Sequence, residues 1–149
     1  MICVVQRIVS SSVKAEGETV GRAGKGVNIL VGIARGDTEA MAEKLCDKIC
    51  RMRIFEDGGG KMNLSLEDVK GSALIISQFT LLANTSKGRR PSFERAEEPG
   101  RAKALYLYFA DCFRKRQVPV ETGVFGADML VSIENDGPVT FVLTDGDRR

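Results

Sequence analysis

Three short stretches of this chain carry groups that can do chemistry. Ser77-Gln78-Phe79-Thr80 places two hydroxyls and a carboxamide inside residues 73–82, the most apolar run in the sequence. Burying such groups without partners costs about 1–3 kcal/mol each, so they answer either to internal hydrogen bonds near a strand end or to a ligand. Strand alternation would set Ser77 and Phe79 on one face, with Gln78 and Thr80 on the other. Gly137-Pro138 lies between two strand-like runs, where a tight turn is expected. Glycine admits backbone angles closed to other residues, and proline is the one residue for which a cis bond is inexpensive. A cis bond there would hold consecutive carbonyls pointing the same way as acceptors for an ammonium group; a trans bond would make an ordinary turn. The third stretch, Gly123-Val124-Phe125-Gly126-Ala127-Asp128-Met129, sets an aromatic between two glycines. Its apolar surface suits either stacking of a nucleobase or closure of the core.

What is missing narrows the chemistry further. The 149 residues include no histidine, which removes Ser-His-Asp and Cys-His catalysis, His-containing zinc sites and imidazole proton transfer. The four cysteines, Cys3, Cys46, Cys50 and Cys112, form no C-x-x-C pair, and Cys46 and Cys50 share one helix face as reduced thiols. No metal and no cofactor is expected. Catalysis must then rest on hydroxyls, amides, carboxylates, backbone groups or the substrate itself. A net charge of +2 is too small for broad nucleic-acid binding. Local basic clusters at Lys87-Gly88-Arg89-Arg90, Arg114-Lys115-Arg116 and Arg148-Arg149 read as solvated loops and helix ends, or as a grip on a short piece of RNA.

Positioning these groups falls to one α+β domain spanning residues 1–149. Residues 4–9 and 13–20 read as strands, with a turn at Glu16-Gly17-Glu18, and residues 27–33 as a buried strand. Asp37 or Thr38 caps a helix marked by Met41, Leu45, Ile49 and Met52. After the breaker Gly58-Gly59-Gly60, residues 73–82 form a central strand and 84–98 a loop. Pro99 opens a second helix carrying Ala102, Leu105, Phe109 and Phe113 on one face and ending near Gln117. Strands at 130–133 and 139–143 follow. The start of the chain reads as a strand, not a signal peptide, and no run approaches the roughly 20 apolar residues of a membrane span, so a cytoplasmic location is expected.

Together these motifs resemble the D-aminoacyl-tRNA deacylases of the bacterial and eukaryotic type. The resemblance runs through Val4-Val5-Gln6-Arg7, Leu30-Val31-Gly32, Gly36-Asp37-Thr38, Arg53-Ile54-Phe55-Glu56 and Lys61-Met62-Asn63. It continues through Ser77-Gln78-Phe79-Thr80-Leu81, Lys87-Gly88-Arg89-Arg90-Pro91-Ser92-Phe93, Phe125-Gly126-Ala127-Asp128-Met129 and Asn135-Asp136-Gly137-Pro138-Val139-Thr140. Any one fragment is weak, but their number, order and spacing are specific. Only Val124 and the tail after Thr144 look idiosyncratic.

The resemblance implies a β/β/α domain with a mixed or antiparallel sheet and two covering helices, paired into a homodimer with its active site at the interface. It implies hydrolysis of D-aminoacyl-tRNA esters at the 3′ acceptor end, with glycyl-tRNA also accepted. Ser77, Gln78, Phe79 and Thr80 would frame the ester. Gly137 and Pro138 would reach over from the other subunit to hold the amino group and reject L-amino acids. Arg7 would brace the Gly-Pro loop, and Phe125 and Met129 would hold the terminal adenosine. The attacking group is left between Thr80 and a water assisted by the ribose 2′-hydroxyl. Other readings are an L-alanine-directed relative, a plain threonine esterase, and a non-catalytic dimer that masks tRNA ends.

Overall fold

The computed structural model describes residues 1–145; the Arg148-Arg149 cluster lies outside the described residues. The first strand, β1 (Ile2–Ala15), is long and alternates buried and partly exposed residues along its length. It turns through Glu16 and Gly17, whose φ values of 50° and 78° are the paired positive angles of a two-residue hairpin. Strand β2 (Glu18–Ala23) returns antiparallel, and β3 (Gly26–Gly32) pairs with the first half of β1.

Helix α1 (Glu39–Arg51) starts at Thr38, whose hydroxyl accepts from the Met41 amide at 3.3 Å. A small hairpin of β4 (Phe55–Glu56) and β5 (Met62–Leu64) flanks the glycine run. Strand β6 (Ser72–Ser77) then lies parallel to β3, and β7 (Val120–Thr122) parallel to β6. Between them runs α2 (Pro99–Lys115), with Pro99 in its first turn and Glu98 as cap, accepting from the Gly100 and Arg101 amides at 3.0 and 2.5 Å. The last strand, β8 (Met129–Thr144), pairs with β1 from end to end.

The result is a mixed sheet of order β2-β1-β3-β6-β7, with β8 on the other edge of β1, that bends toward a barrel. Side chains on its two faces enter different cores. Cys3, Val5, Val27, Ile29, Val31, Ala73 and Ile75 meet the helices through Leu45, Ile49, Phe109 and Phe113. Ile8, Val13, Ala23, Leu74 and Ile76 pack within the fold of the sheet. All four cysteines are free and buried, and Cys46 and Cys50 place their sulfurs 4.0 Å apart on α1. Among the described residues, no helix is long and apolar enough to cross a membrane.

Three expectations change. The hairpin β4-β5 and the strand β7 escape sequence patterning, being two or three residues long. The central strand stops at Ser77 instead of running to Leu82, because its partner β3 ends there. Finally, Gly137-Pro138 does not join two separate strands. Gln6 faces Thr140 and Ile8 faces Asn135, so residues 136–139 bulge out opposite Arg7 while β8 keeps its direction and partner. The pairing on both sides is strong enough to carry one strand through the interruption.

Candidate active site

Val31 and Ser77 form the last register pair of β3 and β6, and the Gln78 amide adds a final bond to the Val31 carbonyl at 2.8 Å. Beyond it the chain folds into a 3-10 turn, Phe79–Leu82, closed by the Leu81 amide on the Gln78 carbonyl at 3.2 Å. The turn lies against Gly32, where a Cβ would come within 3.0 Å of the Gln78 carbonyl oxygen and 3.3 Å of the Leu81 Cβ. A glycine at the end of β3 thus gives the turn its seat.

Strand alternation therefore fails at the motif. The Gln78 carboxamide and the Thr80 hydroxyl meet in a hydrogen bond through the turn, not through a shared strand face. Phe79 is 55% exposed and meets the Phe93 ring edge-on, with centroids 5.0 Å apart. The amides of Phe79 and Thr80 open the turn, where helical N–H groups have no partner within the helix.

Ser77, Gln78 and Phe79 line a cavity of about 510 Å³ together with Phe125, Met129, Ala96, Glu97 and Asp128. Its far wall depends on two glycines. A Cβ on Gly123 would strike the Met129 sulfur at 2.6 Å, and Gly126 has a φ of +78°. Behind the cavity, the buried Tyr106 hydroxyl donates to the Ile75 carbonyl at 2.7 Å, and its ring lies 5.9 Å from that of Phe125. Burial pushes the Tyr106 phenol up to about 12, so it remains a donor at neutral pH. Glu97 is held by its ion pair with Arg101 at 3.4 Å.

Arg7, Gly137 and Pro138 stand apart from this cavity. Arg7 is 4% exposed and lies under the bulge. Its Nη1 donates to the Ile54 carbonyl at 2.8 Å and its Nε to the Asp136 carbonyl at 3.1 Å, with the Asp136 carboxylate at 3.2 Å. Gly137-Pro138 is a cis peptide, and Gly137 has a φ of +130°. Of the residues singled out from the sequence, the structure gathers Ser77, Gln78, Phe79, Phe125 and Met129 into one cavity, with Thr80 bonded to Gln78. Arg7, Gly137 and Pro138 form a second group.

Tyr106 and Glu97 escape the sequence reading, and Asp128 enters it only as part of the third stretch. Tyr106 looks like another core residue of α2, and only its hydroxyl hints at a bonding task. Two other clefts of about 540 Å³ are more open; one lies along Ser10-Ser11-Ser12 and Arg22, the other between Thr38 and Arg101. Neither carries an aromatic side chain. Among the described residues, no group of three or more His, Cys, Asp or Glu side chains is arranged to hold a metal ion.

A histidine-free pocket of hydroxyl, amide and aromatic groups at the carboxyl ends of two parallel strands is equipment for hydrolysing an already activated ester. Comparison with known proteins gives this class a family. Residues 4–144 match the model described as D-Tyr-tRNA(Tyr) deacylase. The D-aminoacyl-tRNA deacylase of Sulfurihydrogenibium sp. (strain YO3AOP1) is 61% identical over 143 residues, covering 96% of this chain and 97% of that protein. A structure titled c-Myc DNA Unwinding Element Binding Protein superposes with a TM-score of 0.91 at 38% identity, covering 97% of this chain and 99% of the other. Another, of a probable eukaryotic D-amino acid tRNA deacylase, has a TM-score of 0.82 at 20% identity over 95% of this chain and 97% of the other, and shares the fold. The chain belongs to the D-aminoacyl-tRNA deacylase family, and hydrolase activity of that general type goes with it.

Proposed function

We propose that this chain frees tRNA from D-amino acids by hydrolysing the ester at the 3′ end, working as a homodimer in which each bulge completes the other subunit's cavity. The observation that carries this reading is the separation of the two groups. The family's ester-framing motif lines a cavity, while its Gly137-Pro138 motif is braced by buried Arg7 outside that cavity. A second subunit supplies what one chain keeps apart. Strand β8 favours such pairing: among the described residues β1 is its one strand partner, and it exposes Leu130 and Val142 at 67% each.

In the assembled site, Phe125 and Met129 hold the terminal adenosine, and Ser77 to Thr80 surround the ester. The amides of Phe79 and Thr80 receive the developing oxyanion, a contribution of about 2.7–4 kcal/mol per donor. Carbonyls of the partner's Gly-Pro loop fix the substrate's amino group. With amino group and carbonyl held, the side chain of one hand points to open space and that of the other strikes the loop. A mismatch of about 3–4 kcal/mol separates the two by a factor near a thousand. Glycine passes this test, as do many D side chains. Among the described residues no base is bonded to Thr80, whose Oγ1 accepts from the Gln78 carboxamide, a donor that cannot take up the hydroxyl proton. Water assisted by the substrate's 2′-hydroxyl is the preferred nucleophile.

The test is amino-acid release from matched D- and L-aminoacyl-tRNAs at substoichiometric protein with a chelator present. Multiple turnover of the D ester alone is expected. Protection of the ester with retained tRNA binding would make the chain an end-masking module instead. A trapped acyl-Thr80, with Thr80→Ala inactive, would move the attack to Thr80.

A further inference from the structure

The three basic clusters of the sequence differ in how their charge is used. At the end of α2, Arg114 pairs with Asp111 at 2.7 Å, and Arg116 pairs with Glu67 at 2.7 Å and Asp47 at 3.0 Å. Lys115 lies 5.5 Å from the centre of the Tyr108 ring. That cluster is absorbed by its own surface. The second, Arg148-Arg149, lies outside the described residues.

Lys87, Arg89 and Arg90 are different. All three are exposed, and among the described residues none has a carboxylate within ion-pair distance. Acids do lie nearby in sequence. Glu97 is taken by Arg101, Glu98 caps α2, and Glu94 is exposed. Three uncompensated cations over four residues repel one another, and a ligand with spaced negative charges relieves that repulsion.

The segment is anchored where it matters. Asn84 and Ser92 form a two-way backbone bridge at 2.8 and 3.0 Å, and the Asn84 side chain ties back Ser86. Gly88 turns the tip at a φ of +75°. One foot of the arch follows the 3-10 turn of the ester motif by a single residue, Ala83. The other carries Phe93 onto Phe79 and continues to Ala96 and Glu97 in the cavity wall. Residues 85–91 reach no more than about 10–12 Å beyond the bridge. Along one nucleic-acid strand at about 3.4 Å per residue, that length covers about three phosphates.

We propose that Lys87, Arg89 and Arg90 form a phosphate clamp for the backbone of the substrate's acceptor end, just inward of the nucleotide whose ester enters the cavity. This rests on the tRNA ester hydrolase reading and adds the place where the RNA backbone is held. The clamp reads charge, not bases, so it serves many tRNAs, and it couples the grip on RNA to the turn that bears Gln78 and Thr80.

The experiment compares the wild type with the triple variant Lys87→Gln, Arg89→Gln, Arg90→Gln. It measures binding of uncharged tRNA, and hydrolysis of full-length D-aminoacyl-tRNA and of a D-aminoacyl-adenosine ester, from 50 to 200 mM salt. Each single-strand phosphate contact weakens about 2.6-fold over that range, so the wild type should lose about 18-fold more affinity across it than the variant. Turnover of the adenosine ester, which has no further phosphates, should be unchanged, and Arg114→Gln should keep the wild-type salt dependence. Equal salt dependence of tRNA binding in wild type and variant overturns the clamp, as does equal loss on both esters. Duplex DNA competing as well as tRNA would overturn the acceptor-end assignment. Failure of the wild type on both esters would sink the hydrolase reading, while the tRNA-binding arm would still judge the clamp.

Discussion

Replacing Arg7 with methionine keeps most of the buried stem and removes the guanidinium beneath the bulge. Two charge-assisted bonds disappear, to the Ile54 and Asp136 carbonyls at 2.8 and 3.1 Å. Bonds of this kind are worth about 1.5–3 kcal/mol each. The ion pair adds little, because the Asp136 carboxylate is 47% exposed. Relief of the buried cation's desolvation offsets part of the loss, leaving about 3 kcal/mol. For a chain of this size that lowers Tm by about 6–12 °C. The larger consequence is local. On the proposed reading, in which the bulge holds the substrate, a shift of about 1 Å costs about a hundredfold in rate. Stopped assays on D- and L-aminoacyl-tRNA, beside thermal melting, should show kcat/KM on the D ester falling about a hundredfold and the D/L ratio shrinking. Arg7→Lys, which reaches one carbonyl at a time, should fall between. If melting drops as worked out while kcat/KM and the D/L ratio stay within twofold, Arg7 stabilises the fold without positioning the loop, and the reasoning fails.

Gly137→Ala should be worse than its single methyl suggests. The Cβ would sit 2.8 Å from the Val139 Cγ2 and 3.3 Å from the Arg7 Nη2, at a φ of +130° that L residues rarely adopt. Activity should fall at least tenfold with a lower melting temperature, and wild-type values in both would refute the close fit. The share of stability carried by Tyr106 and Tyr108 should be lost between pH 10 and 12. Burial holds the Tyr106 phenol near 12, and the Glu43 carboxylate, which accepts its hydrogen bond, does the same for Tyr108, while unfolded tyrosines lose their protons near 10. The unfolded chain then releases protons first as pH rises, so this stabilisation is complete below 10 and gone above 12. Across that window urea midpoints should fall less steeply in Tyr106→Phe than in the wild type; an unchanged slope would show that Tyr106 does not contribute. Leu130→Lys with Val142→Lys should yield monomers by light scattering and abolish turnover, and an active monomer would remove the cross-subunit site.

Much of the fold was legible because local rules were obeyed. Thr38 and Pro99 announced the two helices, and the apolar spacing of Leu45 and Ile49, or of Phe109 and Phe113, matched the faces they bury. The site was legible as motif but not as geometry. Alternation set Gln78 on the face opposite Ser77 and Phe79, whereas all three line one cavity, since what ends the strand is the end of β3 at Gly32, distant in sequence and adjacent only after pairing. Short strands such as β7 have too few residues to show a period.

By itself the sequence determined the chemistry available: no imidazole, hydroxyls and a carboxamide in an apolar run, and a Gly-Pro step between two apolar stretches. Those are properties of residue types and order, which folding does not alter. Only the tertiary structure decided which of them meet. It brought Ser77 to Phe79 against Phe125 and Met129, put Arg7 beneath residues 136–139, and compensated Arg114 and Arg116 while giving Lys87, Arg89 and Arg90 no ion pair among the described residues. Contacts between residues far apart in the chain depend on sheet register and helix packing, which emerge from the whole core and not from any local stretch.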